Sequence, residues 1–259
     1  MTAFSDTELE RRRRAGTVPF WRALVAGARD AELVEYPGGV VAAVLPRSPA
    51  RSVMNGVFYE DGAALLAVRD ELAERYAAAG VAAWTVWLLP GDSETAAGLE
   101  RAGHVLDATP AAMGGVLSEM DLAARDDGIE VIPSDDWTAM ARLNALAYDT
   151  PEEDWVAALG GQGPALGDLY VIGDPGRPAA CAFISTHERN AEVCFVATRA
   201  ELRGRGLAGE LLRHALREAA ATGCQTTTLE ATKLGRPVYE RMGFRVLGEL
   251  QMWERRTSP

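Results

Sequence analysis

A faint internal repeat constrains this chain more than any other feature. Leu99-Glu-Arg-Ala-Gly-His104 parallels Tyr239-Glu-Arg-Met-Gly-Phe244. Upstream of each copy lies a helix ending in Gly80 or Gly223, followed by an apolar strand. Gly80 to Gly103 spans 23 residues and Gly223 to Gly243 spans 20, so the second copy has a connection three residues shorter. Self-similarity at this distance implies two related domains in tandem, not a solenoid array. The 259 residues suffice for two domains of ordinary size. The polar break Ala124-Arg125-Asp126-Asp127-Gly128 divides them into 1–125 and 126–259.

The second half alternates clearly between strand and helix patterns. Ile129 to Ile132 reads as a strand, and Ser134-Asp135-Asp136 signals a helix start before Trp137 to Tyr148. Thr150-Pro151-Glu152-Glu153 predicts a second helix, capped by Thr150 with Pro in the first turn. Strands are expected over Leu169–Ile172 and Ala179–Ser185, joined by the turn Asp174-Pro175-Gly176. A strand over Glu192–Thr198, a long helix over about 204–222 and a strand over Thr226–Glu230 come next. A short helix then ends at Gly243, and Phe244 to Trp253 is extended. This order predicts an α/β (α+β) fold, with a mixed sheet flanked by helices in each domain.

Composition narrows the function. Lys plus Arg total 26 against 37 Asp plus Glu, a net charge of −11 that repels nucleic acid. Three cysteines, an odd number without metal-ligand spacing, read as buried free thiols in a reducing compartment, and no metal site is expected. The longest apolar stretch, Val81 to Leu89, is nine residues including Thr85, against the ~20 that span a bilayer. The run Arg11 to Arg14 reads as a solvated helix face, not an export signal, because Arg22 and Arg29 interrupt the apolar stretch such a signal needs. A cytoplasmic protein is the expectation, with a homodimer as an open option.

Chemistry concentrates at Arg203-Gly-Arg-Gly-Leu-Ala208, between a strand and the long helix. Gly204 and Gly206 allow conformations and close approaches that a Cβ forbids. A helix N-terminus adds unpaired N–H groups and the positive end of a dipole, so the segment suits a diphosphate. From Arg199 to Glu218 the charges are five Arg against three Glu, locally positive in an acidic chain.

At this point the chain resembles the GCN5-related N-acetyltransferase (GNAT) superfamily. Arg203-x-x-Gly206-x-Ala208 fits that family's [Q/R]-x-x-G-x-[G/A] signature, and Val238-Tyr-Glu-Arg-Met-Gly-Phe244 is similar to its terminal Leu-Tyr-x-x-x-Gly-Phe segment. The two occur in order, with the proper elements between, over residues 129–255. The resemblance implies acetyl-CoA as co-substrate. Backbone groups of Val196, Ala197 and Thr198 would meet its pantetheine arm, and Gly204, Arg205, Gly206, Leu207, Ala208 and Gly209 its diphosphate, beside Arg203. Tyr239 takes the place of the general acid that protonates the leaving thiolate, which a phenol of pKa ~10 does while neutral at pH 7. Thr232 stands where many members carry an Asn against the pantetheine.

A carboxylate must take the acceptor's proton. Glu192, at the start of the strand and eleven residues before Arg203, resembles the base of the histone-acetyltransferase branch, and Glu230 is its rival. Aligning Gly80 with Gly223 sets Glu60 and Asp61 opposite Arg203 and Gly204, and Leu99 replaces Tyr239. Acids there repel a diphosphate, so the first half reads as a degenerate copy kept for structure, dimer contacts or acceptor shaping. Tyr148-Asp-Thr-Pro-Glu-Glu-Asp-Trp155 lies where the family lines its acceptor site, and four carboxylates between two aromatics suit a small cationic amine or cap a helix. The alternatives are a non-catalytic acyl-CoA-binding or sensory module and a protein or peptide N-acetyltransferase.

Overall fold

The computed structural model describes residues 4–125 and 128–256. The expected boundary runs into Asp126 and Asp127, which lie outside the described residues. The chain opens with helix α1 (Asp6–Gly27), started by Ser5, whose hydroxyl accepts from the Glu8 N–H at 3.2 Å. Next come β1 (Glu32–Tyr36), β2 (Val40–Val44), β3 (Gly56–Phe58), α2 (Gly62–Ala78), β4 (Ala83–Leu88), α3 (Ser93–Arg101), β5 (Val105–Ala108) and β6 (Ala111–Val116). The second half comprises β7 (Val131–Ser134), α4 (Trp137–Tyr148), α5 (Glu152–Leu159), β8 (Asp168–Asp174), β9 (Arg177–His187) and β10 (Asn190–Thr198). It continues through α6 (Leu207–Ala221), β11 (Thr226–Ala231), α7 (Arg236–Met242), β12 (Arg245–Glu249) and β13 (Gln251–Arg256).

The repeat is plain in three dimensions. The order β3-α2-β4-α3-β5-β6 recurs as β10-α6-β11-α7-β12-β13. In both copies the first two strands pair in parallel across a helical crossover. Gly80 (φ +72°) and Gly223 (φ +102°) follow the crossover helices, and Gly103 (φ +84°) and Gly243 (φ +101°) follow the short ones. A left-handed residue after a helix is what glycine provides at lowest cost.

The two sheets exchange their last strands. One has the order β1-β2-β3-β4-β13-β5, the other β12-β6-β11-β10-β9-β8-β7. Strand β13 pairs with β4 from Gln251↔Leu88 to Arg256↔Ala83, while β6 pairs with β11 from Ala111↔Ala231 to Val116↔Thr226. The single extended run expected over Phe244–Trp253 is therefore two strands in different sheets. They part at Leu250, which is 2% exposed and whose N–H donates to the Pro110 carbonyl at 3.0 Å.

Helix α1 lies across the second sheet, over β6, β9, β10 and β11. Small residues in β6 permit this, since a Cβ on Gly114 would stand 3.2 Å from Leu9 Cβ. One hydrophobic core joins the halves: Phe20, Trp21 and Met54 pack with Trp137, Trp155 and Phe183. Cores of α2 against the first sheet and α6 against the second complete the packing. Cys181, Cys194 and Cys224 are free and buried. Among the described residues no helix is long and apolar enough to cross a membrane.

Candidate active site

Strand β10 follows β11 only over Asn190–Glu192, opposite Thr226–Thr228, and then leaves it. On its other side the ladder with β9 slips between Cys194 and Ala197, where Phe195 takes φ +48°. Such a bulge bends a strand and re-aims its backbone. The buried Asn144 holds it, donating from Nδ2 to the Phe195 carbonyl at 3.4 Å. The parting strands leave a gap that a narrow ligand arm can enter.

Helix α6 begins at the mouth of this gap. Gly204 (φ +77°) and Gly206 (φ +82°) are left-handed, and no protein atom lies within 4 Å of where either would carry a Cβ. Gly206 caps the helix without any side-chain hydrogen bond, so the first N–H groups point outward unpaired by a cap. Arg203 stands beside them, donating to the carbonyls of Thr198 and Ala147 at 3.3 Å each. The first half differs at the equivalent point. Asp61 caps α2 and its carboxylate accepts from the Ala63 N–H at 2.9 Å, occupying the position an anion would need.

The turn opens into a cleft of about 1810 Å³ lined by both halves of the chain. Of the residues expected to bind, Val196, Thr198, Arg203, Gly204, Gly206, Leu207, Ala208, Gly209 and Thr232 line it, together with Glu192 and Tyr239. Ala197 is buried and paired with Cys181 of β9, and Arg205 is exposed outside the lining. Thr232 spends its acceptor locally, taking the Gly235 N–H at 3.1 Å as α7 begins.

Three carboxylates and a buried arginine form the floor. Arg13, on α1, donates to Glu230 at 2.8 Å and to both oxygens of Glu10 at 2.7 and 2.8 Å. Glu192 lies next to this group, its Oε2 3.2 Å from where Gly16 would carry a Cβ, so glycine makes room for it. Burial pushes the Glu192 carboxyl well above the usual carboxylate range; Glu230 adds to the rise and Arg13 opposes it. The two rival carboxylates thereby differ in setting: Glu230 is held in an ion pair with Arg13, and Glu192 makes none among the described residues.

Arg13 also corrects the reading of the arginine run as a solvated face. Arg11 and Arg14 are exposed, but Arg13 is 6% exposed. The signal is present in the spacing: Leu9, Arg13, Gly16 and Phe20 recur at helical intervals and are all buried.

Tyr239 faces the cleft from α7, 8% exposed, its ring edge-on to Phe244 at 5.8 Å. Burial, with Tyr148 nearby, raises its phenol further, so it stays protonated and can donate. The acidic acceptor segment is arranged otherwise than expected. Pro151, not Thr150, precedes α5, and the Thr150 hydroxyl instead accepts from Trp155 Nε1 at 2.8 Å. Glu152 pairs with Arg142 at 2.8 Å, Asp154 is buried, and among the segment's residues only Tyr148 and Trp155 line the cleft. Their rings stack at 5.4 Å and are covered by Arg51, 5.5 and 5.0 Å from the ring centroids. The cation over these aromatics is thus the protein's own. No sequence signal marks Arg51, which comes from a polar loop in the other half.

Residues 130–244 match the family model described as "Acetyltransferase (GNAT) family". No relative was found among curated protein sequences. Among solved structures, a GCN5-related N-acetyltransferase from Kribbella flavida superposes with a TM-score of 0.69 at 18% identity, over 95% of this chain and 96% of that one. A GCN5-related N-acetyltransferase from Sphaerobacter thermophilus gives 0.57 at 18% identity, over 87% and 83%. A tandem GNAT protein from the clavulanic acid biosynthesis pathway gives 0.58 at 14% identity, over 95% and 96%. At such identities these likenesses speak to the fold, and they extend through both halves. The family match spans the segment that holds the cradle and Tyr239, and the structural likenesses show that both halves of this chain share the fold of GNAT-type proteins, a tandem one among them.

Proposed function

We propose that this protein transfers the acetyl group of acetyl-CoA to a primary amine by direct attack, with Glu192 as general base and Tyr239 as general acid. One observation carries the reading: the uncapped, glycine-entered start of α6 opens onto the same cleft as a buried phenol and a half-buried carboxyl that makes no ion pair among the described residues. The residues fit the co-substrate, because a Cβ on Gly204 or Gly206 would project into the space a diphosphate needs. Leu207, Ala208 and Gly209 would offer it N–H groups, with Arg203 beside them, and Val196 and Thr198 would flank the pantetheine arm. The thioester supplies an activated acetyl group.

Glu192 takes one proton from the ammonium form of the acceptor and frees the nitrogen lone pair. As the N–C bond forms and the C–S bond breaks, Tyr239 donates its proton to the sulfur. The nitrogen loses a second proton on becoming an amide, and that proton makes good the one Tyr239 gave. The test is thiol release from acetyl-CoA across aminoglycosides, polyamines, amino acids and short peptides. Release that depends on one amine class is expected. Acetyl-CoA binding with no amine-dependent release in any class would leave a binding or sensory module.

A further inference from the structure

The loop between β2 and β3 is built to hold one side chain still. Asn55, fully buried, accepts from the Leu45 N–H at 2.8 Å and donates to the carbonyls of Ser48 at 2.9 Å and Arg51 at 3.3 Å. The Ser48 hydroxyl donates to the Asp154 carbonyl, and the Asp154 carboxyl accepts from the Ala50 N–H. Loop and helix α5 are tied together with their buried polar groups satisfied, yet the guanidinium this scaffold presents is not. Arg51 forms no ion pair among the described residues, and its Nε is buried without a hydrogen-bond partner.

A partly buried cation without a counter-ion is unfavourable unless a ligand completes it. Two acids stand near Arg51. Glu254 is engaged by Arg256 at 2.7 and 2.8 Å, and Asp107 makes no ion pair among the described residues. Arg256 answers Glu254, so the Arg51 fork is left without a bonded partner, and a single negative charge placed on it meets less repulsion from the two nearby acids than a dianionic phosphate would. A planar fork offering parallel N–H groups matches a carboxylate.

The position relative to the chemistry is set by the aromatic contacts. Arg51 lies on Trp155, Trp155 meets Phe195 edge-on at 5.5 Å, and Phe195 is the bulge residue three positions after Glu192, roughly 10 Å along the strand. Trp21, Phe58 and Trp87 form an apolar wall of the same cleft, with ring centroids 5.2 and 6.2 Å apart. We propose, resting on the acetyl-transfer reading above, that the acceptor is an elongated amino carboxylate: its amine at Glu192, its apolar body along this wall and its carboxylate on Arg51. The half that lost its own co-substrate site then supplies the recognition group for the acceptor.

The test uses the full chain and matched probes, 6-aminohexanoate against hexylamine as acceptors, with N-acetyl-6-aminohexanoate against N-hexylacetamide for calorimetry on the CoA-saturated protein. The carboxylate member should have a kcat/KM at least tenfold higher, expressed in KM, and its acetylated form should bind at least tenfold tighter. Arg51→Gln should abolish both preferences, and Arg51→Lys, which keeps charge but not the fork, should restore part of them; the melting temperature of each variant reports its folding. Equal binding of the two products, no binding of the carboxylate product, or a preference that survives Arg51→Gln overturns the proposal. A tenfold loss of acetyl-CoA affinity in Arg51→Gln, with the product preference intact, would assign Arg51 to the phosphates of CoA and also overturn it. If acetyl-CoA binds but no amine is acetylated, the acetyltransferase reading fails, and the calorimetric comparison still decides for or against Arg51.

Discussion

Gly206→Ala and Gly80→Ala form a matched pair that isolates the co-substrate cradle from backbone strain. Both glycines are left-handed, at φ +82° and +72°, and neither has a protein atom within 4 Å of its would-be Cβ. Alanine in that conformation costs about 1–2 kcal/mol at either site. For a chain of this size that lowers the melting temperature by about 2–4 °C per kcal/mol. Without ligand the two variants should therefore melt at similar, modestly reduced temperatures. Acetyl-CoA at one hundred times its Kd stabilises the wild type by about 2.7 kcal/mol. Gly80→Ala should keep that gain, because Gly80 follows α2 outside the cleft lining. Gly206→Ala should lose most of it, because its methyl meets whatever rests on the first N–H groups of α6. Thermal scans of the three proteins with and without acetyl-CoA give the comparison. A full ligand-dependent gain in Gly206→Ala would refute the assignment of this turn as the diphosphate cradle.

Tyr239→Phe should lower kcat by about 10²–10⁴-fold on an identified acceptor and leave acetyl-CoA affinity nearly unchanged; a kcat within about threefold, with chemistry rate-limiting, would relieve Tyr239 of the acid's role. Because Glu192 must ionise to act and its carboxyl is raised, kcat/KM should climb with pH through a limb well above the ordinary glutamate value of about 4.3, and Glu192→Gln should remove that limb along with most of the activity. Between those two values the folded protein retains a proton that the unfolded chain has released, so stability should fall as pH rises there, and chemical denaturation of Glu192→Gln should show a flatter profile. Calorimetry should count one acetyl-CoA site per chain, since Asp61 occupies the N-terminus of α2; two equivalent sites would contradict the degenerate reading of the first half.

Local chemistry is legible in the sequence wherever a residue acts on its own neighbours. Asp136 caps α4 through the Ala139 N–H at 2.8 Å, and glycine follows each crossover helix where the backbone turns left-handed. Glycine beside a helix start likewise announces the cradle. The failures lie where the partner is distant along the chain. Arg13 meets Glu230 from 217 residues away, and Arg51 meets Trp155 only because two halves fold onto one cleft. Thr150 reads as a cap because its hydroxyl suits one, but the Trp155 indole, five residues on, claims it. The choice between sheets is illegible for a different reason: β6 and β13 are both six-residue strands at equivalent places in the repeat, and neither carries a mark saying which β4-like neighbour it should join.

The exchanged strands give the molecule an unusual order of assembly during synthesis. When β6 has been made, the place beside β4 that β13 will take is still vacant, and the chain must grow by 135 more residues before Gln251 arrives. At ribosomal rates of about 5–20 residues per second this interval lasts roughly 7–27 s. Throughout it β4 presents an unpaired edge, and β6 waits for β11 and β12. Strand β6 is the repeat's counterpart of β13, so it is also the segment best matched to the wrong vacancy. A nascent chain that fills the gap with β6 builds a closed first sheet and deprives the second of the strand that separates β11 from β12. The half that carries the glycine-entered turn is thus held to the first half: its sheet is complete only when a strand encoded before residue 117 is handed across.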